Sequence, residues 1–246
     1  MTSRSDVWAS LRSATPARIG LGRRGDAPPL EAMLAFQLAH ARARDAVHTA
    51  LDVPALGAAL GGAVVVRSAA PDRDVYLRRP DLGRRLHPSS RAVLTGVARP
   101  EDGWDAVFVL ADGLSAAGVQ RSAVPLLEAC RTRLPGWSLA PVVIATQARV
   151  ALGDAIGEVL GARLCVMLIG ERPGLSVANS LGVYLTWQPC IGRRDAERNC
   201  VSNIHPDGLS CDAAAEQVTW LMTEARRRGL TGVALKRDGV AAALPG

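Results

Sequence analysis

The chain has 246 residues, 48% apolar and 21% charged, a size and mix that suit one large α/β domain with a helical extension and exclude an intrinsically disordered protein. Its formal net charge is +6, yet every Lys or Arg except Lys236 is arginine and aromatics make up only 4%. The basic surface therefore lacks the interleaved rings that stack on single-stranded bases, and nucleic acid is not an expected partner.

The first 60 residues read as a helical segment. Ser5 or Asp6 is placed to cap a short helix carrying Trp8 and Leu11. The loop GLGRRGDAPP follows at 20–29, and its prolines sit where a new helix starts. From Leu30, the residues Leu30, Met33, Leu34, Leu38 and Ala41 form an apolar stripe at helical spacing. His40 and His48 lie in this helix without a carboxylate or cysteine spaced as a ligand partner, and read as ordinary helix-face histidines.

From residue 61 to residue 246 the texture changes. Short β-branched runs, GAVVVRS, WDAVFVLA, LAPVVIAT, RLCVMLIG, GVYLTW and GVALKR, alternate with helical stretches near 88–98, 116–134, 152–160 and 212–228. In the last of these Val218, Leu221 and Ala225 form the inner face, and Gly229 stands where a helix closes after three arginines. Nearly continuous apolar runs predict strands buried on both faces of a mostly parallel sheet. The expected architecture is a three-layer α/β sandwich of the Rossmann or flavodoxin-like kind.

In such sheets ligands gather beyond the carboxyl ends of the strands. Three predicted strands run into polar clusters there: Asp112 to Ser115, Gln147 to Val150, and Gly170 to Leu175. Glu171, directly after a buried strand, reads either as half of a local ion pair with Arg172 or as a hydrogen-bond acceptor facing a ligand. The stretch LRRPDLGRRL at 77–86 reads as a solvated basic loop, or as a docking element for an acidic surface or phosphate. Five cysteines, widely spaced and without a C-x-x-C pair, argue against a disulfide framework or a structural zinc site. No apolar run approaches the ~18 residues of a membrane span. A reduced, cytoplasmic protein is expected.

RNCVSNIHP, residues 198–206, holds Cys200 and His205. A cysteine nucleophile needs a base, a group orienting that base, and oxyanion donors, and such pairs normally come from separate parts of a fold. A stand-alone cysteine–histidine hydrolase or transferase predicts inhibition of the isolated chain by thiol reagents. A small-ligand sensing module predicts binding without a partner. No phosphate-cradling glycine loop of the G-x-x-x-x-G-K-[ST] or G-x-G-x-x-G kind follows a strand. The residues describe a binding site without an acid–base pair, a metal cluster or an activated nucleophile.

The motif series resembles the small (light) subunit of adenosylcobalamin-dependent ethanolamine ammonia-lyase. The resembling segments are RSATPARIGLGRRG at 12–25, VYLRRPDLGRRL at 75–86, LADGLSAAGV at 110–119, the stretch 148–189 containing GERPGL, DAERNCVSNIHPDGL at 195–209 and TGVALK at 231–236. The resemblance implies a separate TIM-barrel large subunit that binds ethanolamine, with the cobalamin held between the two chains. It implies a complex of several large–small pairs that converts ethanolamine to acetaldehyde and ammonia. Carried over by position, the family's cobalamin contacts fall on Val150, Glu171 and Cys200, with Arg149, Arg172 and Asn203 as neighbours. Many members carry an N-terminal extension directing them into a bacterial microcompartment. The chain starts close to the shared motifs, so a free cytoplasmic complex is expected as readily as a packaged one.

Overall fold

The computed structural model describes residues 6–236. Three helices come first: α1 (Ala9–Ala14), α2 (Leu30–His48) and α3 (Val53–Ala59). Ser5 lies outside the described residues; Asp6 supplies the local turn, its carboxylate accepting from the Trp8 N–H at 3.1 Å. The chain then alternates β1 (Val64–Arg67), α4 (Arg73–Arg78), α5 (Pro88–Thr95), β2 (Trp104–Ala111), α6 (Ala116–Arg131), β3 (Val143–Thr146), α7 (Leu152–Leu160) and β4 (Ala162–Gly170). It finishes with β5 (Leu181–Trp187), β6 (Arg198–Ile204) and α8 (Cys211–Arg228). The Ser210 hydroxyl caps α8 by accepting from the Ala213 N–H, and Gly229 ends it in the left-handed conformation.

The six strands form one sheet in the order β1-β3-β2-β4-β5-β6. The first four run parallel, whereas β5 and β6 are antiparallel to their neighbours. Side-chain alternation sorts the core into two layers. Phe108, Leu110, Val166 and Leu168 face α6 and α8, while Val107, Val109, Met167 and Ile169 face α5 and α7. This is the expected α/β arrangement, with helices on both faces of the sheet.

Two sequence expectations are corrected. GVALKR was expected to form a strand, but its described residues, 232–236, form a turn, with Arg237 outside them. Gly232 takes φ +92°, and the Asn199 side chain donates to the carbonyls of Gly232 and Leu235. Leu235 is buried, so the apolar run reflects packing of a turn onto the core. RNCVSNIHP is absent from the predicted strands, yet most of it is β6. An edge strand with polar residues on one face has no continuous apolar run to reveal it.

Candidate functional site

The sheet has a switch point at the carboxyl ends of β2 and β3. The chain leaves β2 for α6 on one face and leaves the adjacent β3 for α7 on the other, which opens a crevice between the two strand ends. Asp112, buried at the end of β2, holds that crevice in shape. Its carboxylate accepts from the N–H of Gln147 at 2.7 Å and of Ala148 at 3.0 Å. Burial pushes the Asp112 carboxyl up, and those two N–H donors together with the Arg73 guanidinium pull it back.

A cavity of about 320 Å³ lies over this crevice, lined by residues at the ends of three adjacent strands: Gly113 and Leu114 after β2, Arg149 and Val150 after β3, and Gly170 closing β4 with Glu171 and Arg172 after it. Ile169, Tyr76 and Tyr184 complete it. Each of the three clusters recognised at predicted strand ends therefore contributes to this one cavity. The chain contains two tyrosines and both line this cavity. That scarcity was the signal by which the sequence could have flagged Tyr76 and Tyr184, which a reading by polar clusters passed over.

The stretch 77–86 keeps Arg78, Arg79, Arg84 and Arg85 exposed, as expected of a solvated basic loop, while its Gly83 and the preceding Tyr76 back the site. The Tyr76 ring of α4 is fully buried, and its hydroxyl lies 2.9 Å from the carbonyls of both Gly113 and Ala148. The guanidinium carbons of Arg73 and Arg149 stand 4.8 and 4.5 Å from the same ring's centroid, a cation–π arrangement. A Cβ on Gly83 would come within 2.9 Å of both the Arg149 Cγ and the Tyr76 ring. The Gly83 carbonyl accepts from the Arg149 N–H at 2.8 Å. Only glycine fits between these two side chains without displacing one of them.

Glu171 is held on the opposite wall. The Ser180 hydroxyl donates to its Oε2, and the Asn203 N–H lies 3.3 and 3.4 Å from its two oxygens. That N–H points inward because β6 is bulged. Leu181 pairs with Ile204 and Val183 with Val201, so Gly182 alone faces Ser202 and Asn203. Asn203 takes φ +63° there, a conformation asparagine tolerates better than most residues. Gly182 leaves room for the carboxylate, since a Cβ at that position would stand 2.9 Å from the Glu171 Oε1.

Val150 and Glu171 thus share one cavity. Cys200 lies one strand further out, exposed and directly opposite Tyr184 across the β5–β6 ladder. Tyr184, which lines the cavity, bridges the two positions. Partial desolvation and the nearby Glu171 carboxylate push the Cys200 thiol up, and hydrogen bonding from Tyr184 partly opposes them. A thiol shifted in that direction is a poor nucleophile at neutral pH. His205 is not brought to it: His205 is buried, with Nε2 2.8 Å from the Asn203 Oδ1, and it lines a separate cavity of about 730 Å³ beside α2. That larger cavity contains none of Val150, Glu171 and Cys200. Among the described residues no group of three or more His, Cys, Asp or Glu converges to hold a metal ion, and no helix is long and apolar enough to cross a membrane.

Comparison with known proteins gives the geometry its context. The sequence model of the ethanolamine ammonia-lyase light chain family matches residues 5–236. The ethanolamine ammonia-lyase small subunit of Azotobacter vinelandii is 53% identical over 246 residues, covering 97% of this chain and 91% of that protein. The small subunits of Pseudomonas paraeruginosa and Ralstonia nicotianae are each 50% identical, covering 99% and 96% of this chain and 92% and 90% of those proteins. With a family match along nearly the whole chain and half of its residues shared with such relatives, the chain belongs to the ethanolamine ammonia-lyase light chain family.

Proposed function

We propose that the chain pairs with a large subunit and that its strand-end cavity carries one side of a cobalamin, in the adenosyl form, at the junction of the two chains. The complex then converts ethanolamine to acetaldehyde and ammonia in the cytoplasm. The observation that carries this reading is the juxtaposition of Val150 and Glu171 in one cavity, with Tyr184 extending it to Cys200.

The residues present fit such a ligand. A corrin offers apolar faces and a rim of carboxamides. Val150, Ile169 and Tyr184 supply apolar contact, Glu171 supplies an acceptor, and Arg149 supplies donors, its Nε buried without a hydrogen-bond partner among the described residues. When bound, the cofactor supplies the radical chemistry of the rearrangement. The chain's own residues do quieter work. Glu171 accepts from rim N–H groups, Val150 and Cys200 shape an apolar wall, and the Tyr76-backed loop keeps that wall rigid and excludes water from one side of the cofactor.

Residues 1–60, of which 6–60 are described, are proposed as an N-terminal helical segment serving the subunit contact. None of the α2 side chains is buried, and Leu30, Met33, Leu34, Phe36 and Leu38 are 41–63% exposed. An apolar helix left uncovered by its own chain suits a partner surface.

The test is reconstitution. Ammonia release should require this chain, the large subunit and adenosylcobalamin together, and full activity from the large subunit alone would sink the reading. Glu171→Ala should weaken cobalamin binding by the assembled complex by about 1.5–3 kcal/mol, the range for a hydrogen bond to a charged group, without unfolding the chain. Unchanged affinity would remove Glu171 from the site.

A further inference from the structure

The cavity is backed by Tyr76 and Gly83 but is lined by none of the four arginines around them, Arg78, Arg79, Arg84 and Arg85. All four are exposed. Within 78–85 they stand against a single carboxylate, Asp81, for a net charge of +3. Asp81 is engaged on one side: Arg79 donates to both of its oxygens at 2.9 Å, while Arg85 stays 3.9 Å away. Arg78 and Arg84 have no carboxylate at ion-pair distance among the described residues. Asp72 and Asp74 belong to the start of α4, where Asp72 is taken up in capping the helix. The exposed Arg67 adjoins the patch, since its carbonyl accepts from the His87 N–H at 3.2 Å and the Arg85 carbonyl accepts from the Ala69 N–H at 2.8 Å.

These charges stand on a fixed base. Tyr76 is fully buried, and Gly83 is buried against the Tyr76 ring and Arg149. Solvation alone requires no such anchoring. Docking gains from it, because charges already held in place lose less entropy when they pair.

Shape and charge together select the kind of partner. Neither cavity described above is lined by any of the four arginines, so they present an open surface rather than a small-molecule pocket. A second copy of the chain would set like charge against like. The platform is also continuous with the strand-end cavity. The Gly83 carbonyl accepts from the N–H of Arg149, and Arg149 and Arg172 line that cavity. A chain laid across the cavity meets this basic edge next.

We propose that Arg78, Arg79, Arg84 and Arg85 form a docking platform for an acidic face of the large subunit, drawing the two chains together and setting the cavity against its partner. The proposal rests on the pairing reading above. It gives the two contact surfaces different tasks. The apolar face of α2 holds the complex, whereas the arginine platform governs how fast and in which orientation it forms.

The experiment passes the full-length chain over immobilised large subunit and reads association and dissociation rates by interferometry. Salt runs from low concentration to about 1 M NaCl, where the screening length is about 3 Å. Wild-type association should slow steeply as salt rises. Arg78→Gln with Arg84→Gln should slow association about tenfold at low salt, leave dissociation nearly unchanged, and converge with wild type at high salt. Arg227→Gln with Arg228→Gln removes the same charge at the end of α8, where the neighbouring Arg226 pairs with Asp105 at the opposite end of the sheet, and should leave association as in wild type. Equal association rates and salt slopes in wild type and the Arg78, Arg84 variant overturn the proposal. So does an equal loss in the α8 variant, which would make net charge rather than the platform responsible. Retention of the chain by phosphatidylglycerol vesicles, lost in the Arg78, Arg84 variant while association with the large subunit is unchanged, would assign the arginines to a lipid surface and overturn it too. Wild-type chain that binds the large subunit at no salt concentration overturns the pairing reading itself, a result distinct from pairing without steering.

Discussion

Arg198, at the start of β6, grips Asp154 of α7 with one guanidinium nitrogen on each carboxylate oxygen, at 2.6 and 2.7 Å, and both side chains are 2% exposed. The Thr186 hydroxyl at 2.8 Å and the Arg193 carbonyl at 3.0 Å accept further guanidinium N–H bonds. This clasp ties α7 to the two antiparallel strands on the face that also carries Tyr184 and Cys200. Removing one partner leaves the other buried and uncompensated, so Asp154→Asn should cost about 3–5 kcal/mol. Urea unfolding measures it. A double Asp154→Leu, Arg198→Met variant should be less destabilised than the sum of its single changes, because the two residues act as a unit.

Gly182→Ala tests how the acceptor is placed. The added methyl would stand 2.9 Å from Oε1 and 3.2 Å from Cγ of Glu171, so the carboxylate must swing away from its Ser180 and Asn203 partners. Cobalamin affinity should fall about tenfold, as for loss of that hydrogen bond, while the thermal midpoint moves little. An unchanged affinity would show that the carboxylate is not held in place by the room at Gly182.

Tyr184 should titrate late. Burial, then the facing Cys200 and the Glu171 carboxylate, push its hydroxyl from 10.0 to about 12. A folded-state value above the unfolded one favours the neutral form. The associated stability is complete below pH 10 and disappears as pH rises through 12. A difference titration of tyrosinate absorbance between wild type and Tyr184→Phe measures this directly; a difference signal centred near pH 10 would show the hydroxyl to be free in solvent.

Tyr76→Phe removes the hydroxyl that serves the Gly113 and Ala148 carbonyls. Arg73 still donates to the Gly113 carbonyl at 2.8 Å, so the loss falls mainly on Ala148. Destabilisation of about 1–3 kcal/mol is expected, the cost of a buried acceptor without a donor. Chemical denaturation measures it, and a neutral result would mean that water replaces the hydroxyl.

The sheet was legible because its central strands are short apolar runs flanked by helical periodicity, and burial on both faces imposes that texture. The site was legible to the same extent, since three polar clusters after such runs converge wherever the strands are adjacent. Three things were not. β6 carries the polar Arg198, Cys200 and Ser202 along one face and so hides among loops. Gly83 and Gly182 matter for the space they leave, and only a folded neighbourhood shows who uses that space. Tyr76 acts through a hydroxyl bonded to carbonyls 37 and 72 positions away, a relation that no local window contains.

The bulge at Asn203 has an effect beyond the cavity. β6 is the last strand of the sheet, and an open strand edge is a template for pairing with other chains. Along its first half the turn at 232–235 is tied to the Asn199 side chain and covers the outer flank. Along its second half a left-handed residue breaks the regular rhythm of free N–H and carbonyl groups. The distortion that aims a donor at Glu171 thus also removes a regular template for edge-to-edge pairing.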